Sequence, residues 1–276
     1  MQRLFLVGCP RSGTTLLQSM LSSHPKVISF PETHLLSHTI PANPVLRLSK
    51  IYGSASRSVL LRSMIDLGLN KEQVFIPKSV IFRSTAWVNV ILGNIDRLAN
   101  HLAEGNPVFW LEKTPRHLRY ISLISKTDPD SRFIHIIRKG KDVASSMYFA
   151  TQKHPEQWGG KRSIEKCVYW WNRSTKYSKQ YLDSQNHIFI SYEQLVSEPE
   201  IVLKAFCKKT GFSYRPVMIQ SYHETASTLI KEEEKWKRKN TSSQLSNSKK
   251  FDQLPDKDQN YIEKETADFP YRSIQL

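Results

Sequence analysis

Cysteine is scarce in this 276-residue chain: Cys9, Cys167 and Cys207 stand far apart, with no C-x-x-C pair and no Cys/His cluster at metal-ligand spacing. That excludes a disulfide scaffold and a structural zinc site, and it predicts a reduced compartment. Long apolar runs are missing too. The first apolar stretch, Arg3-Leu4-Phe5-Leu6-Val7, falls far short of the roughly 20 residues that span a bilayer, so no membrane span is expected and a cytoplasmic protein is the default. Acidic residues are outnumbered, 25 against 40 Lys and Arg, for a formal charge of +15. Such a balance attracts anions, whether nucleotide, acidic substrate, membrane surface or nucleic acid. The cations are spread along the chain without a tail, so a solvated basic surface accounts for them equally well.

What is present begins with length and core material. With 39% hydrophobic residues, the chain suits one large α/β domain, taken here as residues 1–276. Its organising stretch is the first fifteen residues. A short apolar strand ends at Gly8, and Thr14-Thr15-Leu16-Leu17-Gln18-Ser19-Met20-Leu21 carries apolar residues at helical spacing. Between them, Gly8-Cys9-Pro10-Arg11-Ser12-Gly13 forms a glycine-framed turn that points backbone N–H groups into one concavity at a helix N-terminus. That is a phosphate cradle. The Gly8-to-Gly13 spacing matches the nucleoside-triphosphate loop, but Thr14 stands where that loop needs lysine, which argues against triphosphate chemistry. The cation comes earlier, at Arg11.

The rest alternates strands with helices, which calls for a parallel sheet covered on both faces. Lys26 to Phe30 reads as a strand, with Glu32 and His34 just past its carboxyl end, where ligands gather in open α/β sheets. Read more plainly, Glu32 caps the next helix. Residues 35–105 are expected to form a helical insertion, with helices over Arg57 to Leu67 and Ser84 to Ala103. Val108 to Leu111 is a strand ending in Glu112-Lys113-Thr114-Pro115, and Pro115 is placed to start a helix through Leu118, Ile121 and Ile124. Arg132 to Ile137 is the clearest buried strand; it runs into Arg138-Lys139-Gly140 and a helix from Lys141 to Ala150. A polar loop over 151–163 precedes an aromatic-rich helix from Ile164 to Leu182, whose Trp170 and Trp171 read as core. His187 to Ser191 is the last strand, followed by Tyr192-Glu193-Gln194-Leu195 and a helix ending near Gly211. Residues 231–250 mix acidic and basic runs with almost no aliphatics: a disordered basic loop, or a mobile flap in which Trp236 and Lys237 meet a nucleotide. Asp256 to Ala267 reads as a terminal helix.

Pro10-Arg11-Ser12-Gly13-Thr14-Thr15 resembles the 5′-phosphosulfate loop of sulfotransferases that use 3′-phosphoadenosine 5′-phosphosulfate (PAPS). In Arg138-Lys139-Gly140-Lys141-Asp142-Val143-Ala144-Ser145-Ser146, a serine stands eight residues after an arginine, similar to that family's 3′-phosphate signature. The arginine leaves a strand end and the serine lies about two helical turns on. Glu32, Lys113-Thr114-Pro115 and Tyr192-Glu193-Gln194-Leu195 resemble further elements of the branch that includes the tyrosylprotein sulfotransferases.

The resemblance implies a three-layer α/β fold with a P-loop-like core, PAPS as cofactor, 3′-phosphoadenosine 5′-phosphate (PAP) as product, and no metal. It implies Glu32 as general base, with Lys113 and Arg11 stabilising charge. Arg11, Ser12, Gly13, Thr14, Thr15, Arg138, Ser146, Tyr192, Trp236 and Lys237 would hold the nucleotide. One departure is that cytosolic animal relatives usually carry lysine at Arg11's position and often use a histidine base, for which His34 and His135 are available. The acceptor is a hydroxyl on a glycan, lipid, small molecule or peptide tyrosine; no nucleic-acid partner is expected, and the oligomeric state is open. The competing readings are a P-loop nucleotide or small-molecule kinase with a degenerate loop, and a non-catalytic anion- or nucleic-acid-binding protein.

Overall fold

The computed structural model describes residues 1–41, 53–77, 84–230, 250–271 and 274. Trp236 and Lys237, with the rest of 231–249, lie outside the described residues.

Leu4, Phe5, Leu6 and Val7 are buried on both faces, as the centre of a parallel sheet requires. They form β1 (Gln2–Gly8), flanked by β3 (Phe109–Lys113) and β4 (Arg132–Ile137), with β2 (Val27–Ser29) and β5 (His187–Ser191) at the edges. The order is β2-β3-β1-β4-β5, and every pairing is parallel. Leu6 lies opposite Lys113 and Ile134, and Gly8 opposite Ile136, so the strands end close together.

Alternation along β1 sorts its side chains between two layers. Leu4 and Leu6 pack with Leu111, Ile134 and Ile136 under α1 (Thr14–Ser22). Phe5 and Val7 face the other way, where the Phe5 ring stacks on Phe133 at 5.5 Å and meets Trp110 edge-on at 5.3 Å. That layer is closed by the helices of 35–102: α2 (Leu35–Thr39), α3 (Gly53–Asp66) and α4 (Ser84–Leu102). Trp87, Ile91, Ile95 and Leu98 are the inward stripe of α4, at the spacing the sequence shows.

Beyond β3 the chain differs from expectation. Pro115 opens a 3₁₀ turn, Pro115–Tyr120, before α5 (Ile121–Thr127) begins. Thr114 does not cap it; its hydroxyl donates to Glu112 Oε1 at 2.6 Å and accepts from the His34 N–H at 3.3 Å. The next helix, α6 (Gly140–Lys153), runs past Ala150, and α7 (Pro155–Trp158) lies within the expected polar loop. The first packs against α8 (Ile164–Lys179), which Ser163 caps, and α7 packs against α6. After β5 come α9 (Tyr192–Ser197), α10 (Pro199–Thr210), α11 (Val217–Gln220) and α12 (Tyr222–Leu229), and finally α13 (Asp256–Glu265) against α8. Trp171 of α8 is core, as its sequence context implies, whereas Trp170 is only partly buried.

Candidate active site

The carboxyl ends of all five strands deliver the residues singled out by the sequence. The β1–α1 turn brings Arg11 to Thr15, β2 leads to Glu32, β3 ends on Lys113, β4 leads to Arg138, and β5 leads to Tyr192.

The turn is held by its glycines. A side chain on Gly8 would place Cβ 2.8 Å from the Ile136 carbonyl oxygen, so only glycine lets β1 and β4 end side by side. Gly13 sits at φ +94°, and a Cβ there would lie 2.3 Å from Tyr192 Cδ2. Arg11 is itself left-handed at φ 79°, unusual for a non-glycine residue and costing about 1–3 kcal/mol. The Ser12 N–H donates to the Cys9 carbonyl at 3.1 Å. The turn opens α1 with no side-chain cap on its first amides; amides so placed are available to an anion.

The two arginines meet across this turn. Arg11 Nε donates to Ser146 Oγ on α6 at 3.2 Å, and Arg138 Nη1 reaches the Arg11 carbonyl at 3.4 Å. The Arg138 guanidinium lies 4.2 Å above the Tyr192 ring, while Trp171 Nε1 donates to the Arg138 carbonyl. Arg138 Nε and Nη2 are buried and have no hydrogen-bond partner among the described residues. Burial, then the charge of Arg138, lowers Arg11 to about 10. Lys250 is lowered by burial and then by Arg11, Arg138 and Lys153. The site is therefore a desolvated cluster of positive charge, which a doubly charged phosphate would relieve.

A second group surrounds Glu32, itself buried. Lys113 Nζ donates to Glu32 Oε1 at 2.5 Å and lies 3.4 Å from Thr15 Oγ1, tying the carboxylate to the first turn of α1. His34 Nε2 is 3.2 Å from Glu32 Oε2. Burial lowers His34 to about 4, with Glu32 opposing the shift and His117 and His38 adding to it. At neutral pH the ring is uncharged, so Nε2–H donates to Glu32 and the lone pair falls on Nδ1, which is buried without a hydrogen-bond partner among the described residues. Glu32 is no helix cap: His34 occupies the cap position of α2.

Beneath this pair lies a network the sequence did not announce. Glu112, fully buried, accepts from Thr33 Oγ1 at 2.8 Å and Thr114 Oγ1 at 2.6 Å, and pairs with His117 Nδ1 at 2.8 Å. Burial alone would raise the Glu112 carboxyl, but His117 and these bonds outweigh it and hold it below its ordinary value. Thr33 adjoins Glu32, and Thr114 adjoins Lys113, so the network fixes both backbones. The only hint in sequence was a glutamate inside an otherwise apolar strand. Lys250 was similarly hidden at the end of a low-complexity stretch.

Of the expected residues, Arg11, Ser12, Gly13, Thr14, Thr15, Arg138, Ser146 and Tyr192 gather around the turn, with Lys113 and Glu32 beside Thr15. His135, the other histidine considered as a base, is elsewhere: it is buried between β5 and α8, bonded to Ser178 Oγ at 3.0 Å and His187 Nδ1 at 2.9 Å. Among the described residues no group of three His, Cys, Asp or Glu is placed to hold a metal, and no helix is long and apolar enough to cross a membrane.

A family model described as "Sulfotransferase family" matches residues 3–216. The protein-tyrosine sulfotransferase 2 of Gallus gallus is 27% identical over 228 residues, 81% of this chain and 54% of that protein. The chain spans about half the length of the curated relatives it matches. The sulfotransferase domain of the Synechococcus PCC 7002 olefin synthase superimposes with a TM-score of 0.58 at 20% identity, covering 98% of this chain and 96% of that one. Mouse sulfotransferase SULT7A1, solved with PAP, gives 0.53 at 11% identity, covering 95% and 82%. At these identities the structures share the fold.

Proposed function

The chain belongs to the sulfotransferase family, and from that premise we propose that it transfers the sulfuryl group of PAPS to an acceptor hydroxyl. One observation carries the nucleotide assignment: Arg138, buried against Arg11, which in turn bonds Ser146, keeps two guanidinium N–H groups without partners among the described residues. Buried charge-bearing donors are costly to leave unmatched, and a phosphate supplies the missing acceptors. Arg138 and Ser146 hold the 3′-phosphate. Arg11 and the Ser12-to-Thr15 amides and hydroxyls hold the 5′ end, and the Tyr192 ring backs Gly13. When bound, PAPS supplies the sulfuryl group and the leaving phosphate.

Glu32 takes the proton of the acceptor hydroxyl. Lys113 keeps an ammonium 2.5 Å from Oε1, favouring the ionised carboxylate a general base must be. His34 Nε2, 3.2 Å from Oε2, holds the second oxygen of the carboxylate in place. Because Lys113 also reaches Thr15, the cation that orients the base lies against the phosphate turn, where it stabilises charge growing on the leaving group. Glu112 positions both residues through Thr33 and Thr114. The test is transfer of ³⁵S from labelled PAPS to a panel of phenols and glycans under chelator. Label in an acceptor with equal PAP release supports the proposal. Magnesium-dependent labelling from γ-³²P-ATP instead of ³⁵S transfer refutes it in favour of a kinase.

A further inference from the structure

Beside the phosphate turn lies a cavity of about 240 Å³, walled by Gly8 and Pro10 of that turn, by Pro115, two residues past Lys113, and by side chains of α6, α7 and α8. Four arginines line it: Arg116, Arg119, Arg162 and Arg173. Among the described residues none of them pairs with a carboxylate. Arg116 is exposed at the mouth, with no hydrogen bond or ion pair among the described residues; Arg119, Arg162 and Arg173 lie against aromatic faces. The Trp170 ring is approached by three guanidinium groups, at 5.8 Å from Arg119, 5.8 Å from Arg162 and 5.5 Å from Arg173, and its buried Nε1 has no acceptor. Burial is the main influence lowering Arg119 and Arg162; Tyr120 and Cys167 respectively oppose it, neighbouring arginines add to it, and the net direction is downward for both. Trp158, Tyr177, Met147 and Leu118 make the remaining wall apolar.

Like charges gathered in a half-buried apolar pocket are an unbalanced arrangement that an anion completes. The volume holds about one ring with its substituents, below the usual range of drug-sized sites. We infer that this cavity seats the acceptor, and that the acceptor is a small ring-bearing hydroxyl compound with its own anionic group, a carboxylate, sulfate or phosphate. The anion meets the arginines, the ring lies against Trp170 and Tyr177, and the hydroxyl emerges beside Pro10 and Pro115 toward Glu32. This rests on the sulfuryl-transfer reading and names the substrate class for it.

The test uses three phenols of matched size with PAPS: 4-hydroxyphenylacetate, its neutral amide, and cationic tyramine, followed by PAP release. The anionic phenol should exceed the amide in kcat/KM by about 30-fold, as for one charge-assisted buried contact, and tyramine should be the poorest. Arg119→Gln, at a half-buried arginine of the wall, should cut the anionic-over-neutral ratio about tenfold. Binding is read separately from tryptophan fluorescence, which 4-hydroxyphenylacetate should change saturably in the native protein and not in Trp170→Phe. Equal turnover of the three phenols, or turnover of an acidic tyrosine peptide with all three phenols inert, overturns the inference while leaving sulfuryl transfer standing. Saturable fluorescence change in a protein that binds no PAP leaves an anion site but refutes its role as an acceptor pocket, and with it the parent reading.

Discussion

Replacing Arg138 by alanine isolates the proposed 3′-phosphate contact. The substitution removes Nε and Nη2, the two buried N–H groups that lack partners among the described residues. A hydrogen bond from a charged donor contributes about 1.5–3 kcal/mol, so two set a ceiling near 3–6 kcal/mol. Arg11 and Lys250 remain nearby and water fills part of the space, which brings the expected loss to about 3 kcal/mol, or roughly 150-fold in Kd. The assay is calorimetric titration with PAP and with AMP, which lacks the 3′-phosphate. The native protein should prefer PAP by a factor of that order. Arg138→Ala should bind AMP within about threefold of native and lose nearly all discrimination. The fold should survive, because Trp171 bonds the Arg138 carbonyl, which alanine retains, and because one source of repulsion on Arg11 is gone. A variant that still prefers PAP to AMP by the native factor would refute the assignment.

Three further outcomes follow from the geometry. Glu32→Gln should lower kcat by about 10²- to 10⁴-fold, the range for a lost general base, with PAP affinity within about threefold; near-native turnover at saturating acceptor would remove Glu32 from the mechanism. Gly13→Ala meets both a left-handed backbone and the Tyr192 ring, and should cost about 2–4 kcal/mol in denaturant unfolding and abolish PAP binding. Thermal unfolding should reveal the His135–His187 pair. Burial and then His187 hold His135 well below 6.5, and burial lowers His187 to about 4. The unfolded chain therefore binds protons first as pH falls. Stability is complete above about pH 6.5 and is lost between there and about pH 4, with a slope of up to ~1.4 kcal/mol per pH unit for each proton. His135→Gln should flatten that slope.

The sheet was legible because its strands are short, apolar and followed by turn chemistry: residues 4–7 and 132–137 could be little else. The phosphate turn was legible because it is local, with Gly8, Arg11 and Gly13 fixed by spacing along one stretch. Arg138 and Ser146 were readable as a second local unit, but that Arg11 donates to Ser146 across 135 residues is a property of the β1–β4 pairing. The Glu112 network was not readable, since Thr33, Thr114 and His117 are polar residues with no common period; burial brings them together. The arginine cavity was invisible for the same reason: Arg116 and Arg119 leave β3, while Arg162 and Arg173 flank the start and middle of α8. The 3₁₀ turn at Pro115–Tyr120 escaped a pattern reading because Thr114, well placed to cap, turns its oxygen to the His34 N–H and its proton to Glu112, partners distant or polar that no period reveals.

The central claim is that this cradle takes a 3′-phosphorylated adenine nucleotide. The most direct measurement is calorimetric titration of the purified chain with PAP in the absence of magnesium, with ATP as comparator. One-to-one PAP binding that ATP does not match is the result expected from Arg11, Arg138 and Ser146 as arranged here. Failure to bind PAP, or a magnesium-dependent preference for ATP, would contradict the account.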